Sequence, residues 1–437
     1  MTTSFTEEYP AEEPYEPQSF LRTGPDKEGQ KAVVPPDRCT CPQFSPPDVD
    51  SLIIAQVQRW KRFAALAVKI DPPNCSDQKS DLHAALKTLL DQNTRQNGAV
   101  WFAWDAGSGL YACIIPEVDT EYAAELARRI QSDLAENRVE TLSVGVTQFP
   151  LLDFNVSDTM KNTCKALAHA AFFGAGSIMI FDAVSLNISG DRFYQEGLFD
   201  TAIREYLNAL RLDPANVNVR NSLAICLAQK GNRDEARASF EEAYRLDSSE
   251  AMPLYNIGVL HVLDGNDGPA LECFRSAWDI DKQTFDIAFQ IGKLLTRKKE
   301  YAEAIHFLEN AVALRDEAAA AHSLLGRCLA SLGRSAEAVN AYKKALKTNP
   351  NDAAALSALG VLYDIKGENP EICFTFCRQS IALCPDNGLY RLRLARLHHK
   401  HNQLENALQE YETATALGCD VRRQIADIKE VLGLMDS

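Results

Sequence analysis

The sequence predicts an α+β domain followed by a long all-α superhelical solenoid, with an irregular tail before them. Residues 50–184 alternate between short apolar runs and amphipathic segments, which indicates a sheet with helices. From about residue 183 onward, small residues recur every 34 positions, which indicates a repeat architecture. A high density of prolines before residue 48 excludes regular structure there. The predicted domain limits are therefore 1–48, 49–182, 183–421 and 422–437.

Composition argues against two classes of function. The chain of 437 residues has Lys+Arg 45 against Asp+Glu 60, a formal net charge of -15, and no basic block. An anionic surface repels phosphate backbones, so we expect no nucleic-acid binding. No apolar run approaches the ~20 residues of a membrane-spanning helix. The opening MTTSFTEEYP also differs from a secretory signal, so we expect a cytoplasmic protein that does not insert into membranes.

The use of cysteine indicates a reducing compartment. Of the 12 cysteines, Cys226, Cys273 and Cys328 fall on predicted buried helix faces, where a thiol behaves as a small hydrophobe. Cys39 and Cys41 form a CxC pair in the tail, but zinc needs further ligands. We therefore expect no disulfide framework, no metal site and no cofactor.

The tail, residues 1–48, is acidic at its start and rich in proline afterwards. Such a segment buries too little apolar surface to offset the entropy lost on ordering. We expect a disordered leader, with a docking motif built on Tyr9, Tyr15 and Phe20 as the alternative.

Residues 50–184 predict five strands, at about 63–70, 99–104, 110–115, 140–146 and 177–181. Helices are predicted near 52–62 and over 80–96, 121–136 and 157–172. The order β-α-β-β-α-β is that of a ferredoxin-like sheet with helices on one face.

Three segments of this domain carry a specific resemblance. Residues 107–116 (GSGLYACIIP) are similar to the hairpin that carries the signature of GGDEF domains, the diguanylate cyclases, and residues 142–146 (LSVGV) are similar to a later strand of that family. Residues 166–181 resemble the family's last helix and closing strand. The resemblance implies the scaffold of that family.

The chemistry of the family is not implied, because this chain departs from it at the functional positions. Joining two GTP molecules needs carboxylates for divalent metal and cations near the phosphates. The metal-binding Asp of the first strand aligns with Lys69, although Asp71 is retained two residues later; the signature Asp and Glu align with Gly109 and Leu110. The degenerate positions are Lys69, Gly107, Ser108, Gly109, Leu110, Tyr111, Ala171 and Ala175. We expect an inactive domain and no catalytic residues.

In the second half, four series of residues recur in phase. The glycine-rich series consists of Gly190, Ala224, Gly258, Gly292, Gly326 and Gly360. The bulky series consists of Tyr206, Phe240, Phe274, Leu308, Tyr342, Cys377 and Tyr411. Two alanine-rich series start at Ala202 and Ala209, and one extra residue near 368–370 gives a single longer step. The series predict seven units over 183–421.

Each unit predicts two helices whose small residues allow close approach at the crossing point, while the bulky residue fills the gap that opens toward the next pair. This pattern resembles the tetratricopeptide repeat (TPR). The resemblance implies a superhelix in which each repeat mainly contacts its neighbours. It also implies a concave groove, lined by the first helix of each repeat, that binds a protein or peptide. Residues 422–437 are predicted to form a helix that covers the last repeat.

The resemblance places the groove on positions 2, 5, 9, 12 and 13 of each first helix. The residues predicted there to contact a partner are Tyr255, Phe289, Lys293, Arg297, Arg327, Arg396 and Lys400. Basic groups on the inner face of an acidic protein would attract an acidic or C-terminal peptide. Ordinary solvated helix surface is the alternative. The two-carboxylate clamp for chaperone tails is not expected, since only Asn256 fits its pattern.

Taken together, the sequence predicts a non-enzymatic adaptor or scaffold of bacterial type. Two alternatives stay open at this point: a regulator whose degenerate domain still binds a nucleotide, and a permanent structural subunit of a larger complex. A small-molecule ligand is not expected. The sequence does not define the partner, the pathway or the oligomeric state.

Overall fold

A computed structural model describes residues 57–434 except 58, 72–78, 95–97, 106–108 and 137. Among these residues, 57–253 form one compact unit and 254–434 form another. The predicted tail with Tyr9, Tyr15 and Phe20, its CxC pair, and the hairpin residues Gly107 and Ser108 lie outside the described residues. So do most of the predicted helix near 52–62 and the last residues of the chain.

The first unit begins with a five-stranded mixed sheet and three helices. The strands are β1 Phe63–Ile70, β2 Val100–Asp105, β3 Leu110–Pro116, β4 Leu142–Phe149 and β5 Ile178–Ile180. The helices are α1 Lys79–Thr94, α2 Thr120–Ala135 and α3 Val156–Ala170, followed by a 3-10 turn at Ala171–Phe173. The strand order is β2-β3-β1-β4-β5, with β4 and β5 parallel and the other pairs antiparallel. These are the predicted elements, with bounds shifted by at most three residues.

The prediction that helices cover one face of the sheet is wrong. Leu66 and Val68 of β1 pack in a core with α1 and α2, whereas Ala65 and Ala67 pack in a second core with Met160 and neighbouring residues of α3. The sequence of β1, FAALAVKI, is nearly all apolar, as expected for a strand that is buried on both faces.

Gly145 allows α3 to lie directly on the sheet. A Cβ atom at this position of β4 would come within 2.3 Å of both the Leu167 nitrogen and the Thr163 carbonyl oxygen of α3. Both atoms belong to the backbone of a regular helix, so they cannot move aside by changing a rotamer. The close approach therefore requires glycine.

Helix pairs follow the sheet and make up the rest of the described chain. In the first unit they are α4 Ala183–Gln195 with α5 Phe199–Leu212, and α6 Val217–Gln229 with α7 Arg233–Leu246. Next come α8 Ala251–Leu263 with α9 Asp267–Ile280, α10 Phe285–Arg297 with α11 Tyr301–Leu314, and α12 Ala319–Ser331 with α13 Ser335–Thr348. The last are α14 Ala353–Ile365 with α15 Pro370–Leu383, α16 Gly388–Lys400 with α17 Leu404–Ala416, and the single helix α18 Arg422–Val431.

The glycine-rich series lies at the helix crossings, as predicted for the small residues, and the bulky series meets it there within the same helix pair. A Cβ atom added to Gly190 would come within 2.4 Å of the Tyr206 ring, and one added to Gly258 would come within 2.6 Å of the Phe274 ring. At Gly326, the distance to the Tyr342 ring would be 2.9 Å. Each glycine thus accepts the bulky side chain of its own pair, so the pairing is encoded within one 34-residue unit.

The sheet domain packs against the first helix pair through α3. Asp182 caps α4, its carboxylate accepting a hydrogen bond from the Ser185 backbone N–H at 2.8 Å. Lys165 of α3 forms an ion pair with Glu205 of α5 at 2.7 Å, and both side chains are largely buried. Since repeat arrays expose apolar surface at an open end, this packing covers the start of the repeats.

Candidate protein-interaction surface

The positions that the GGDEF resemblance predicted to be degenerate have no common surroundings in the structure. Leu110 and Tyr111 are 4% exposed, and they contribute to the two different cores of the sheet domain. Lys69 lies opposite Leu110 in the β1–β3 register. Ala171 begins the 3-10 turn, and Ala175 is exposed in the loop before β5. None of these side chains is a carboxylate that could hold divalent metal.

Asp71, the carboxylate that the GGDEF resemblance placed near a metal position, joins the ends of strands through hydrogen bonds. Its Oδ2 accepts hydrogen bonds from Thr141 Oγ1 at 2.7 Å and from the Gly176 backbone N–H at 2.8 Å. Its Oδ1 accepts from Ser143 Oγ at 2.8 Å. These bonds join the end of β1 to the start of β4 and to the loop before β5. Asp71 thus stabilises the arrangement of these strand ends.

The cysteines of the described residues are free thiols. Burial raises the pKa of Cys113 to about 12 and that of Cys226 to about 11, so both stay protonated and unreactive at neutral pH. In the described part of the chain, no group of three His, Cys, Asp or Glu side chains could hold a metal ion. No helix among the described residues combines the length and apolar character needed to cross a membrane.

In the second unit, the first helices of successive repeats pack side by side. Helix α10 contacts α12, α12 contacts α14, and α14 contacts α16. Their partly exposed residues at positions 1, 5 and 9 form a surface that we call the first-helix face. It consists of Phe285, Phe289, Lys293, Ser323, Arg327 and Val361.

Aromatic and basic groups lie next to each other on this face. The Phe285 and Phe289 rings are stacked, with centroids 5.4 Å apart and planes inclined by 11°, and the Arg315 guanidinium lies 4.2 Å from the Phe285 centroid. Lys293 follows Phe289 by one helical turn. Arg327 occupies the equivalent position of the next repeat. The face therefore offers an apolar platform beside two positive charges.

Among the predicted groove residues, Tyr255 is misplaced. It is 0% exposed, and its ring packs against that of Phe274 at 5.5 Å. Arg396 is exposed, and its charge acts on the Cys419 thiol and the Tyr411 phenol near the end of the repeats. Phe289, Lys293 and Arg327 therefore share the first-helix face, and Arg396 occupies the equivalent position 9 of α16.

Arg297 and Lys400 are engaged in ion pairs between neighbouring repeats. Arg297 pairs with Asp267, which belongs to the second helix of the preceding repeat. Lys400 pairs with Asp364 at 2.8 Å, and His401 also contacts that carboxylate at 3.0 Å. The prediction from positions within the repeat did not include these ion pairs. The Asp267–Arg297 pair could have been found from the sequence, because Asp200 and Lys230 have the same 30-residue separation. Those two residues also form an ion pair between neighbouring repeats.

The first repeat places an acidic group where three later repeats place a basic one. Asp191, at position 9 of α4, accepts hydrogen bonds from the Tyr206 hydroxyl at 2.8 Å and from Asn187 Nδ2 at 3.2 Å. Burial raises the pKa of the Asp191 carboxyl, although hydrogen bonds from Tyr206 and Ser222 oppose the change. Among the seven units, basic residues at position 9 thus occur in repeats 4, 5 and 7.

We predict that Asp191→Asn changes how the stability of the first unit depends on pH. A carboxyl whose pKa is raised by folding favours the folded state at low pH, and this contribution is lost as pH rises above its ordinary range. Asparagine retains an acceptor for the Tyr206 hydroxyl but does not titrate. The stability of the variant relative to wild type should therefore increase between pH 4 and pH 7, as measured by urea unfolding. A difference independent of pH would contradict the prediction.

Comparison with known proteins identifies the repeats. Residues 189–251 and 295–362 match two family models described as tetratricopeptide repeat. No curated protein matches the chain significantly. Neither family match extends into the sheet domain. The chain therefore contains tetratricopeptide repeats, which form a helical solenoid after a small mixed sheet.

Several solved structures are similar to this chain. One is YrrB, described as a TPR protein with an unusual peptide-binding site, at 25% identity over 45% of this chain and 97% of that chain, with a TM-score of 0.40. Another is pilF of Pseudomonas aeruginosa, at 16% identity over 50% and 97%, with a TM-score of 0.43. A third is a tetratricopeptide repeat protein from Parabacteroides merdae, at 17% identity over 58% and 98%, with a TM-score of 0.39. Because these TM-scores are below 0.5, the repeat assignment rests on the family matches and the helix pairs.

Proposed function

We propose that this chain is a non-enzymatic cytoplasmic adaptor, of bacterial type, that holds a protein partner on the first-helix face. Proteins built from tetratricopeptide repeats bind peptide or protein partners, and the family matches support the same role here. The observation that carries the proposal is the juxtaposition of Phe289, Lys293 and Arg327 on one partly exposed surface.

The chemistry of this face favours an extended acidic segment of the partner. Lys293 and Arg327 repeat at equivalent positions of adjacent helices, so carboxylates spaced along a peptide would meet one cation per repeat. An apolar or aromatic side chain of the partner would pack on Phe285 and Phe289. Because the whole chain has a formal net charge of -15, a local basic pair would also select where an acidic segment binds.

In this proposal the sheet domain is a degenerate GGDEF-like module with a structural or docking role. Leu110 and Tyr111 in the core, and Asp71 in the hydrogen bonds at the strand ends, support that role. The same contacts weigh against a nucleotide-sensing regulator, because the Asp71 carboxylate is used in hydrogen bonds at the strand ends and Leu110 and Tyr111 lie in the core. A permanent structural subunit would use the same face, but its partner would not exchange.

The test is partner capture from native lysate with a charge-reversal variant. We expect Lys293→Glu with Arg327→Glu to reduce the amount of the main captured partner by about 10-fold or more, because both attractive charges become repulsive. Arg422→Glu with Arg423→Glu is the matched control, since it changes the net charge equally at exposed positions of α18. Circular dichroism should show unchanged helix content in both variants.

Equal capture by the wild type and the Lys293/Arg327 variant would refute binding on the first-helix face. Loss of capture by both variants would mean that the change in net charge, and not the first-helix face, controls binding. Adding competing free partner to the captured complex separates an exchanging adaptor from a permanent subunit. An adaptor should exchange the partner, and a permanent subunit should retain it.

A further inference from the structure

The first helices of the second unit are covered at repeat 3 and partly open at repeats 4 and 5. Tyr255 and Val259, at positions 5 and 9 of α8, are 0% exposed. The equivalent residues of α10, Phe289 and Lys293, are partly exposed. The Phe274 ring covers one side of Tyr255, with centroids 5.5 Å apart. Atoms of the chain itself, and not solvent, therefore lie over this surface one repeat before the first-helix face.

One segment of this chain has the chemistry that the first-helix face favours. Residues 1–20, which lie outside the described residues, contain five acidic side chains, four aromatic ones, and no lysine or arginine. These are Glu7, Glu8, Glu12, Glu13 and Glu16, with Phe5, Tyr9, Tyr15 and Phe20. The next stretch, residues 21–48, has four acidic and four basic side chains. The negative charge of the tail is therefore concentrated in its first 20 residues, together with the aromatic groups.

The spacing of the glutamates fits the spacing of the cations on the face. Lys293 and Arg327 occupy the same position of neighbouring first helices, and packed helices lie about 10 Å apart. In an extended chain, three residues cover about 10 Å, which is the separation of Glu13 and Glu16 in the sequence. Pro14 lies between these two glutamates and disfavours a helix there. One glutamate can therefore meet each cation.

We propose that residues 1–20 bind the first-helix face of their own chain and thereby compete with the protein partner. This inference rests on the proposed function, because it assigns a second ligand to the same surface. The glutamates pair with Lys293 and Arg327, and an aromatic side chain packs on the two stacked phenylalanines of the face. The 36 residues from 21 to 56 span up to about 120 Å when extended, so they permit binding within one molecule.

A covalent linker makes a weak contact effective. A flexible linker gives the segment an effective concentration on the order of 1 mM at the face. If the free peptide binds with a Kd of about 100 µM, the tethered segment occupies the face in about 90% of the molecules. The affinity for any other ligand of the face then falls about 10-fold, because only the open fraction binds it. The segment would thus set the threshold for binding of the partner.

The test uses a synthetic peptide of residues 1–20 in fluorescence-anisotropy titrations with the full chain. The peptide carries fluorescein at its N-terminus and an amide at its C-terminus, so its negative groups are the glutamates and the dye. We expect wild type to bind it about 10-fold more weakly than a full-length variant in which the five glutamates of the segment are replaced by glutamine. Asp26→Asn with Glu28→Gln, which neutralises two charges in the linker, should bind it like wild type.

A further variant places the peptide on the face. Lys293→Glu with Arg327→Glu is added to the glutamine variant, whose own segment no longer competes. This protein should bind the peptide at least about 10-fold more weakly than the glutamine variant alone. Circular dichroism should show equal helix content in both.

Crosslinking of the purified chain, without any partner, identifies the bound segment. A benzophenone amino acid at position 323, in place of Ser323, should crosslink to residues 1–20 and give a product of monomer mass. Trypsin releases the segment in one piece, because Arg22 is the first basic residue of the chain. The same amino acid in place of Glu309 should not crosslink to it.

Three results would overturn the proposal. Equal affinity of wild type and the glutamine variant for the peptide would mean that the segment does not occupy the face. Unchanged binding after Lys293→Glu with Arg327→Glu would place the peptide elsewhere. A crosslinked product of dimer mass alone would assign the segment to a second copy of the chain.

Partner capture separates this inference from the proposed function. Equal capture by wild type and the glutamine variant, with capture lost in the Lys293→Glu and Arg327→Glu variant, would retain the adaptor and exclude competition by the segment. Peptide binding that behaves as predicted, with partner capture independent of Lys293 and Arg327, would retain the contact of the segment and exclude the partner site.

Discussion

Replacing Gly145 with alanine is expected to destabilise the sheet domain by about 3 kcal/mol. The new Cβ atom would lie 2.3 Å from two backbone atoms of α3, so the helix must move away from β4. That movement also opens the core around Met160, Cys164 and Leu167. Hydrogen exchange followed by mass spectrometry should show loss of protection in β4 and α3, and thermal unfolding of the first unit should shift down by roughly 6–12 °C.

The control for this prediction is Ser132→Ala. Ser132 is exposed on α2 of the same domain, where alanine is a good helix former. This variant should have the protection pattern and melting temperature of wild type. If Gly145→Ala also retained them, the close contact between β4 and α3 would not exist as described.

Replacing Lys165 with methionine is expected to cost about 2 kcal/mol in the first unit. The Lys165 and Glu205 side chains are 20% and 13% exposed, and removal of the lysine leaves a largely buried carboxylate without its partner. Because this pair joins α3 of the sheet domain to α5 of the first repeat, protection should fall at the ends of both helices. Urea unfolding and hydrogen exchange of the full chain measure the effect.

A second substitution and a control at an exposed lysine test whether the loss of stability comes from the broken ion pair. Adding Glu205→Leu to Lys165→Met removes the unpaired carboxylate and should restore most of the lost stability. Lys161→Met lies on the same helix, but its lysine is 53% exposed and only weakly paired, so its effect should be below about 0.5 kcal/mol. A full-sized loss in the double variant would mean that packing, and not the ion pair, joins the two elements.

The repeat region could be predicted in detail because its determinants are local. Each glycine of the series meets a bulky residue of its own helix pair, as with Gly258 and Phe274, so the contact is encoded within one unit. The turn positions Gly197 and Gly231 have φ values of 76° and 88°, a conformation that favours glycine. The predicted limits at 48, 182 and 421 stay predictions.

The side chains that need information from neighbouring elements were predicted less well. From its repeat position, Lys400 was predicted to be a cation of the groove. In the structure it pairs with Asp364, which lies 36 residues earlier in the sequence. Asp71 looks like a retained metal ligand until Thr141, Ser143 and Gly176 are brought to it by the sheet. Periodicity gives the face of a helix, but it does not give the partner of a long charged side chain.

In the sheet domain, too, the contacts between neighbouring elements were predicted less well than the elements themselves. The order of strands and helices was correct, whereas the second covered face depends on where α3 packs. The all-apolar sequence of β1 was a signal for burial on both faces, and Gly145 in β4 was a signal for close helix packing. Both signals become specific only when the sheet order is known.

The most direct test of the adaptor proposal is site-specific photo-crosslinking of the captured partner. A benzophenone amino acid replaces Ser323 on the first-helix face, or Glu309 at an exposed position of α11 as the control. The account predicts that the partner crosslinks from position 323 and not from position 309, and that Lys293→Glu with Arg327→Glu abolishes the crosslink. A crosslink from position 309 alone, with capture retained, would contradict it.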